Sequence, residues 1–232
     1  TRVRSSAASD VYKRQTFPYR YGLDFEAELL RAGGKEKAFA ATLRNPPHTT
    51  RQIMEPKTYL SGEFIEPMRL PDFQKDFKNY DRFDVGAMGE FDVAVLVDQY
   101  AGTEASQHLY PHWRGGYYYA ARPKGDPSAP LAVLYVSRWA SREKASAFAA
   151  IYAKSLEKRY KHVHEVTQGG ANPIDLQKLE SLTGTHTWLT EEGPVAIDVK
   201  DASVLITESL DQPTTEQLEH ELFDPVTTPP VR

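Results

Sequence analysis

The stretch GGYYYAARPKGDPSAPLAVLYVSRWASREKASAFAAIYAKSLEKRY, Gly115–Tyr160, decides the fold class. Tyr117 to Ala121 and Leu131 to Trp139 are rich in aromatic and β-branched residues, and the second run alternates in the manner of a strand. Between them Pro123 to Pro130 holds Gly, Asp, Ser and Pro, which is turn composition. The pair therefore predicts a β-hairpin. Ser141 then offers a hydroxyl cap to a long helix, with Glu143 and Lys144 in its first turn. Ala145, Phe148, Ala149, Tyr152 and Leu156 recur at spacings of three and four, one apolar stripe on that helix. Lys154, Lys158 and Arg159 lie toward its C-terminal end, where the macrodipole favours cations.

Downstream, His162 to Gln168 reads as a strand and Leu176 to Leu182 as a helical turn. Thr185 to Thr190, Val195 to Lys200 and Ser203 to Glu208 read as three short strands, separated by the turns Glu192-Gly193-Pro194 and Lys200-Asp201-Ala202. Thr214 is placed to cap a last helix, Thr215 to Phe223. Upstream the pattern is helical. Leu23, Ala27 and Leu30 share a face, Gly33-Gly34 stops that helix, and Lys35 to Leu43 forms a second one ended by Asn45-Pro46-Pro47. Thr49-Thr50 caps a short turn through Met54. Met88, Phe91 and Val95 favour a helix over Ala87 to Tyr100, and Thr103 is placed to cap the next one, through His108. Glu63 to Asp84 has no steady period and reads as a connector with one helical turn near Phe73 to Tyr80.

The fold class is thus α+β: a small helical N-terminal part followed by a mostly antiparallel sheet covered by one long helix. The expected divisions are a leader at 1–15, a helical segment at 16–62, a connector at 63–86, an α+β domain at 87–223 and a tail at 224–232. The leader, TRVRSSAASDVYKRQ, has four basic residues, one acid and no continuing period, and is similar to translated adaptor sequence at the ends of assembled reads. With no Met at position 1, it suggests a chain truncated at its start, and it is set apart from the fold.

Composition excludes several function classes. The 232 residues are 40% hydrophobic and 26% charged, ordinary for a globular chain. A net charge of −4 argues against a strongly basic nucleic-acid binder. No apolar run approaches the ~20 residues of a membrane-spanning helix. The absence of Cys removes disulfides, thiolate metal sites and thiol nucleophiles.

The motifs offer little catalysis. His108 and His112 are four apart, but Pro111 breaks the helix that would bring them to one face. The string HEVTQ, His164 to Gln168, has Gln where a zincin motif has its second His; His162 and His164 alternate on the predicted strand without a third ligand. His220-Glu221 likewise has no second His. There is no GxSxG, GxGxxG or GxxxxGK[ST]. The binding candidates are the cluster Trp113, Arg114 and Tyr117, and Glu90. Arg114 beside aromatic rings can stack or hold a carboxylate, although Trp113 packing a corner and two Gly turning into a strand account for the same residues. Glu90 lies in an apolar helix, where a carboxylate needs a partner; it could cap Gly86 or pair with Arg114.

Several segments together resemble a family of exported, gluzincin-like zinc metallopeptidase homologues of bacteria. They are Gly22–Glu63, with Pro46-Pro47, Thr49-Thr50, Gln52-Ile53, Pro56 and Tyr59-Leu60, then MGEF at Met88–Phe91, WRGGYYY at Trp113–Tyr119 and SRWASREKASAFAAIY at Ser137–Tyr152. The resemblance covers Phe17 to Tyr160, and departs where the family has Trp-Gly-Gly-Asp and this chain has Trp113-Arg114-Gly115-Gly116-Tyr117. It implies that the HExxH helix and the glutamate ligand belong upstream of Gly22, so no catalytic or metal-ligating residue carries over. The reading that follows is a C-terminal portion of such a protein, without its own catalytic site and without zinc in this chain. The zinc would lie in the full-length parent, the missing N-terminal region would be its partner, and the location would be periplasmic or extracellular. The alternative is a non-catalytic α+β module that receives a peptide or small ligand on its sheet or at the Trp113–Tyr119 corner.

Overall fold

The computed structural model describes residues 2–167 and 172–223. In chain order the helices are α1 (Arg2–Lys35), which continues through a π turn (Glu36–Ala41) into α2 (Thr42–Arg44), then α3 (Thr50–Met54), α4 (Pro56–Ser61), α5 (Phe73–Asp76), α6 (Glu90–Ala101), α7 (Thr103–Leu109), α8 (Arg142–Arg159) and α9 (Gln212–Phe223). The strands are β1 (Tyr80–Ala87), β2 (Trp113–Pro123), β3 (Ala132–Trp139), β4 (Val163–Glu165), β5 (Gly184–Thr190), β6 (Gly193–Lys200) and β7 (Ser203–Glu208).

The chain forms two compact units, and neither is a continuous segment: 1–66 with 88–113, and 67–87 with 114–232. This differs from the division expected at residues 63 and 87. The connector supplies a helical turn and strand β1 to the second unit, whereas α6 and α7 belong to the first.

In the first unit Phe25, Leu29 and Ala38 form a small buried core, with Ile53, Tyr59 and Leu60 against it. Gly34 has a φ of +66°, a left-handed conformation that favours Gly, so the chain breaks direction where the Gly pair predicts a stop. Thr49 accepts from the Gln52 amide and caps α3 as its position indicates. Residues 2–15, set apart from the fold on their sequence, belong to α1, where Lys13 pairs with Asp98 at 2.5 Å and Arg14 with Asp92 at 2.5 Å. Apolar periodicity misses such a helix because ion pairs to α6 dock it. At α7 the N-cap is Gly102, and Thr103 instead donates to the Asp98 carboxylate at 2.6 Å.

The second unit is one seven-stranded sheet of order β1-β2-β3-β7-β6-β5-β4. The registers of β1 with β2, β3 with β7, and β4 through β7 are antiparallel. Ser141 accepts from the Lys144 amide and starts α8, which packs on β3, β6 and β7. Phe148 lies 6.0 Å from the Tyr135 ring and 4.7 Å from Trp139, so α8 covers the face that carries Tyr135, Ile197 and Ile206. The opposite face carries Leu134, Val136 and Leu205, buried with Phe77, Tyr119, Leu210 and Leu218. Helix α9 therefore covers the second face of the sheet. Its cap is Asp211, which accepts from the Thr214 amide at 2.9 Å, and not Thr214 itself. The Gln168 end of the fourth strand, the Gly169-Gly170 pair and the 224–232 tail lie outside the described residues.

Candidate functional site

The sequence-chosen residues divide between the units: Glu90 and Trp113 fall in the first, Arg114 and Tyr117 in the second. Glu90 starts α6 and is fully buried. Its carboxylate accepts from Arg51 Nη1 at 2.7 Å, so a residue of α3 is a partner of its charge. The same guanidinium donates to Glu63 through Nε at 2.8 Å and to the Pro111 carbonyl at 2.7 Å. Burial pulls the Arg51 pKa down, but the hydrogen bonds it donates to Glu63 and Glu90 and their negative charges outweigh it and the net shift is upward. Arg51 is therefore a fixed cation that clamps α3, α6 and the chain after α4. This is a structural arrangement, and nothing in the sequence around Arg51 marks it out.

Trp113 is buried. Gly115 has a φ of +150°, and a Cβ there would meet Met68 Sδ at 2.9 Å. Gly115 and Gly116 thus lie inside β2 and not in a turn before it, and Gly115 is where the strand passes close to Met68. Arg114 is half-buried on β2, and its carbonyl accepts from Arg138 Nη2 at 3.2 Å. Tyr117 is buried in the core, donates to the Arg69 carbonyl at 3.0 Å, and has its pKa raised by that burial.

A concave site does exist in the second unit, on another part of the sheet. It has a volume of about 780 Å³, within the range of small-ligand pockets. Register explains it. Leu134 lies opposite Thr207 on β7, Thr207 opposite Ala196 on β6, and Ala196 opposite Thr187 on β5. One row across four strands thus changes from a large aliphatic side chain to Thr, Ala and Thr. The large residues hold α9 through Leu210 and Leu218, and the small ones leave space. Thr207 and Thr215 place their hydroxyls 3.2 Å apart at the junction. The sheet side of the pocket is completed by Leu189 and Pro194, the helix side by Glu216 and Glu219, and the far side by Val166 and Ile174.

Among the described residues the ionisable groups of the lining are acidic or histidine. Glu165 is buried and spent: Oε1 is 3.0 Å from His186 Nδ1, and Oε2 accepts from the Ile174 amide at 2.6 Å. His186 Nε2 lies 3.1 Å from the Thr183 carbonyl, so both ring nitrogens face acceptors. HEVTQ draws attention to Glu165, but its partner His186 is a β5 residue brought alongside by the sheet. His164 is exposed on β4, and His162, also exposed, lies just before that strand rather than on it. Glu216 accepts from Gln212 at 2.7 Å. Glu219 has no hydrogen bond or ion pair among the described residues. Burial, then the charges of Asp198 and Glu216, push its pKa up to about 7.

Among the described residues no group of three or more His, Asp or Glu converges as a metal site would require. No described helix is long and apolar enough to cross a membrane. No protein-family model matches the chain, and comparisons with curated proteins and with solved structures give no match.

Proposed function

We propose that the second unit is a non-catalytic α+β module that binds a small organic ligand between α9 and the β5–β7 face of the sheet. The observation that carries this reading is the pocket of about 780 Å³, with a floor of Thr187, Ala196 and Thr207 and apolar walls from Leu189 and Val166. A floor of small residues beside an otherwise close-packed face is spare volume that a purely structural sheet would fill. Thr187→Trp tests it, because a half-buried floor residue can take a larger ring that occupies the pocket without entering the core. A library of small organic compounds is screened by NMR against the full chain and this variant. Binders should perturb Thr187, Ala196 and Thr215 in the parent chain and lose their effect in the variant. Compounds that bind both proteins alike, or no binders at all, overturn the reading.

A second reading rests on the first unit. Leu23 and Leu43 are 71% and 85% exposed, and Leu30 and Phe39 are also exposed. Such a run of bare apolar side chains is the surface that a neighbouring region would cover. It supports the proposal of a C-terminal portion of a metallopeptidase homologue, with zinc and the export route belonging to the longer parent. Coding sequence upstream that carries an in-frame HExxH followed by a glutamate would support it; upstream sequence without them would remove it.

A further inference from the structure

We infer that the pocket under α9 selects an organic cation, an ammonium group carried on a short aliphatic body. The inference rests on the ligand-binding reading above and names the class of ligand. Its first support is charge. Glu216 and Glu219, three positions apart on α9, both line the pocket, the charge of Asp198 on β6 also acts on Glu219, and the described lining holds no Lys or Arg to balance them. Asp198 accepts a hydrogen bond from the Thr185 hydroxyl at 2.9 Å. On the β4–β5 side the remaining ionisable groups, Glu165 and His186, already satisfy each other.

The second support is an unmet carboxylate. Glu219 is half-buried, yet no hydrogen bond or ion pair reaches it from the described residues. A carboxylate that is partly withdrawn from water beside two like charges holds its proton unusually well. A cation placed between Glu219 and Glu216 removes that cost and is bound for the same reason.

The third support separates an organic cation from a bare metal ion. The described carboxylates do not converge as a metal site does, and the surface beside them is aliphatic. Leu189 and Val166 are 50% and 49% exposed in the pocket wall. An alkyl chain laid along them is taken out of water while its ammonium head reaches Glu219.

The test is calorimetric titration of the full chain with hexylammonium, hexyltrimethylammonium, 1-hexanol and hexanoate, which share one body and differ in head group. The ammonium compounds should bind about tenfold more tightly than the alcohol, a preference the size of one partly buried ion pair, and hexanoate should be the weakest. Glu219→Gln should weaken the ammonium compounds about fivefold to tenfold and 1-hexanol by less than about twofold. Ammonium affinity should also rise from pH 6 to pH 8 as Glu219 ionises, while that of the alcohol stays flat. If 1-hexanol or hexanoate binds as tightly as the ammonium compounds, the cation assignment fails and the pocket stands. If ammonium binding is indifferent to Glu219→Gln, the assignment fails as well. If no probe binds and the library screen is also empty, the ligand-binding reading fails with it.

Discussion

The Arg51 guanidinium donates four hydrogen bonds, two to Glu63, one to Glu90 and one to the Pro111 carbonyl, while only 5% of the residue is exposed. A buried ion pair is not by itself a source of stability, because both charges lose water. Its removal from one side only is costly, since the other charge stays buried without compensation. Arg51→Ala should therefore lower the stability of the protein by about 3–5 kcal/mol, read as a shift in the urea midpoint. Glu208 shows the same economy in the second unit. Arg159 and the hydroxyls of Tyr152 and Tyr160 converge on its carboxylate, at 2.5, 2.7 and 3.1 Å. Burial raises the pKa of each tyrosine, and the Glu208 charge adds to it. These clusters explain why charged residues in apolar segments need not be read as chemistry.

Among the elements, α8 and α9 differ in what holds them. Helix α8 has a complete apolar stripe, and its start is written locally by Ser141. Helix α9 depends on Asp211, whose Oδ1 caps Thr214 while its Oδ2 accepts the Tyr80 hydroxyl at 2.7 Å. Burial raises the Asp211 pKa, but the bonds from Tyr80 and Thr214 prevail and hold it below the ordinary carboxylate value. Its contribution is thus present at neutral pH and is lost as pH falls through the folded-state value. Asp211→Ala should cost about 1–3 kcal/mol at pH 7 and progressively less in acid, measured by thermal unfolding across pH. Strand β1 shows the opposite case of legibility. YDRFDVGA buries one residue, Tyr80, and leaves the others exposed or half-buried, because it is an edge strand. Hydrophobic patterning has nothing to report there, so the segment reads as connector until its ladder to β2 is seen.

At the scale of the whole molecule, pH reports how the second unit is closed. Asp76 of α5 is buried, its Oδ1 accepts from Gln217, and Glu221 of α9 lies beside it. Burial first, and then the Glu221 charge, raise its pKa to about 6. A raised carboxylate makes the folded chain bind its proton more tightly than the unfolded chain does. Its favourable contribution is therefore complete in acid and lost as pH rises through about 6. Asp76→Asn should raise the urea midpoint at pH 7.5 and leave it nearly unchanged at pH 4. The opposite pattern, a loss at pH 7.5, would mean that the ionised carboxylate is the favoured form.

The sequence by itself determined the local elements: the β2–β3 hairpin, α8 with its Ser141 cap, the β5–β7 strands, the break at Gly33-Gly34, and from these the α+β class. Each depends on residues within a few positions of one another, where periodicity, caps and turn chemistry act. The tertiary structure alone decided the rest. Arg51 and Glu90 are 39 positions apart, and the pocket floor is a row of Thr187, Ala196 and Thr207 that exists only in the register of three strands. A sequence records which side chains are charged or small, but the partner of a buried charge and the edge of a cavity are set by the packing of distant segments.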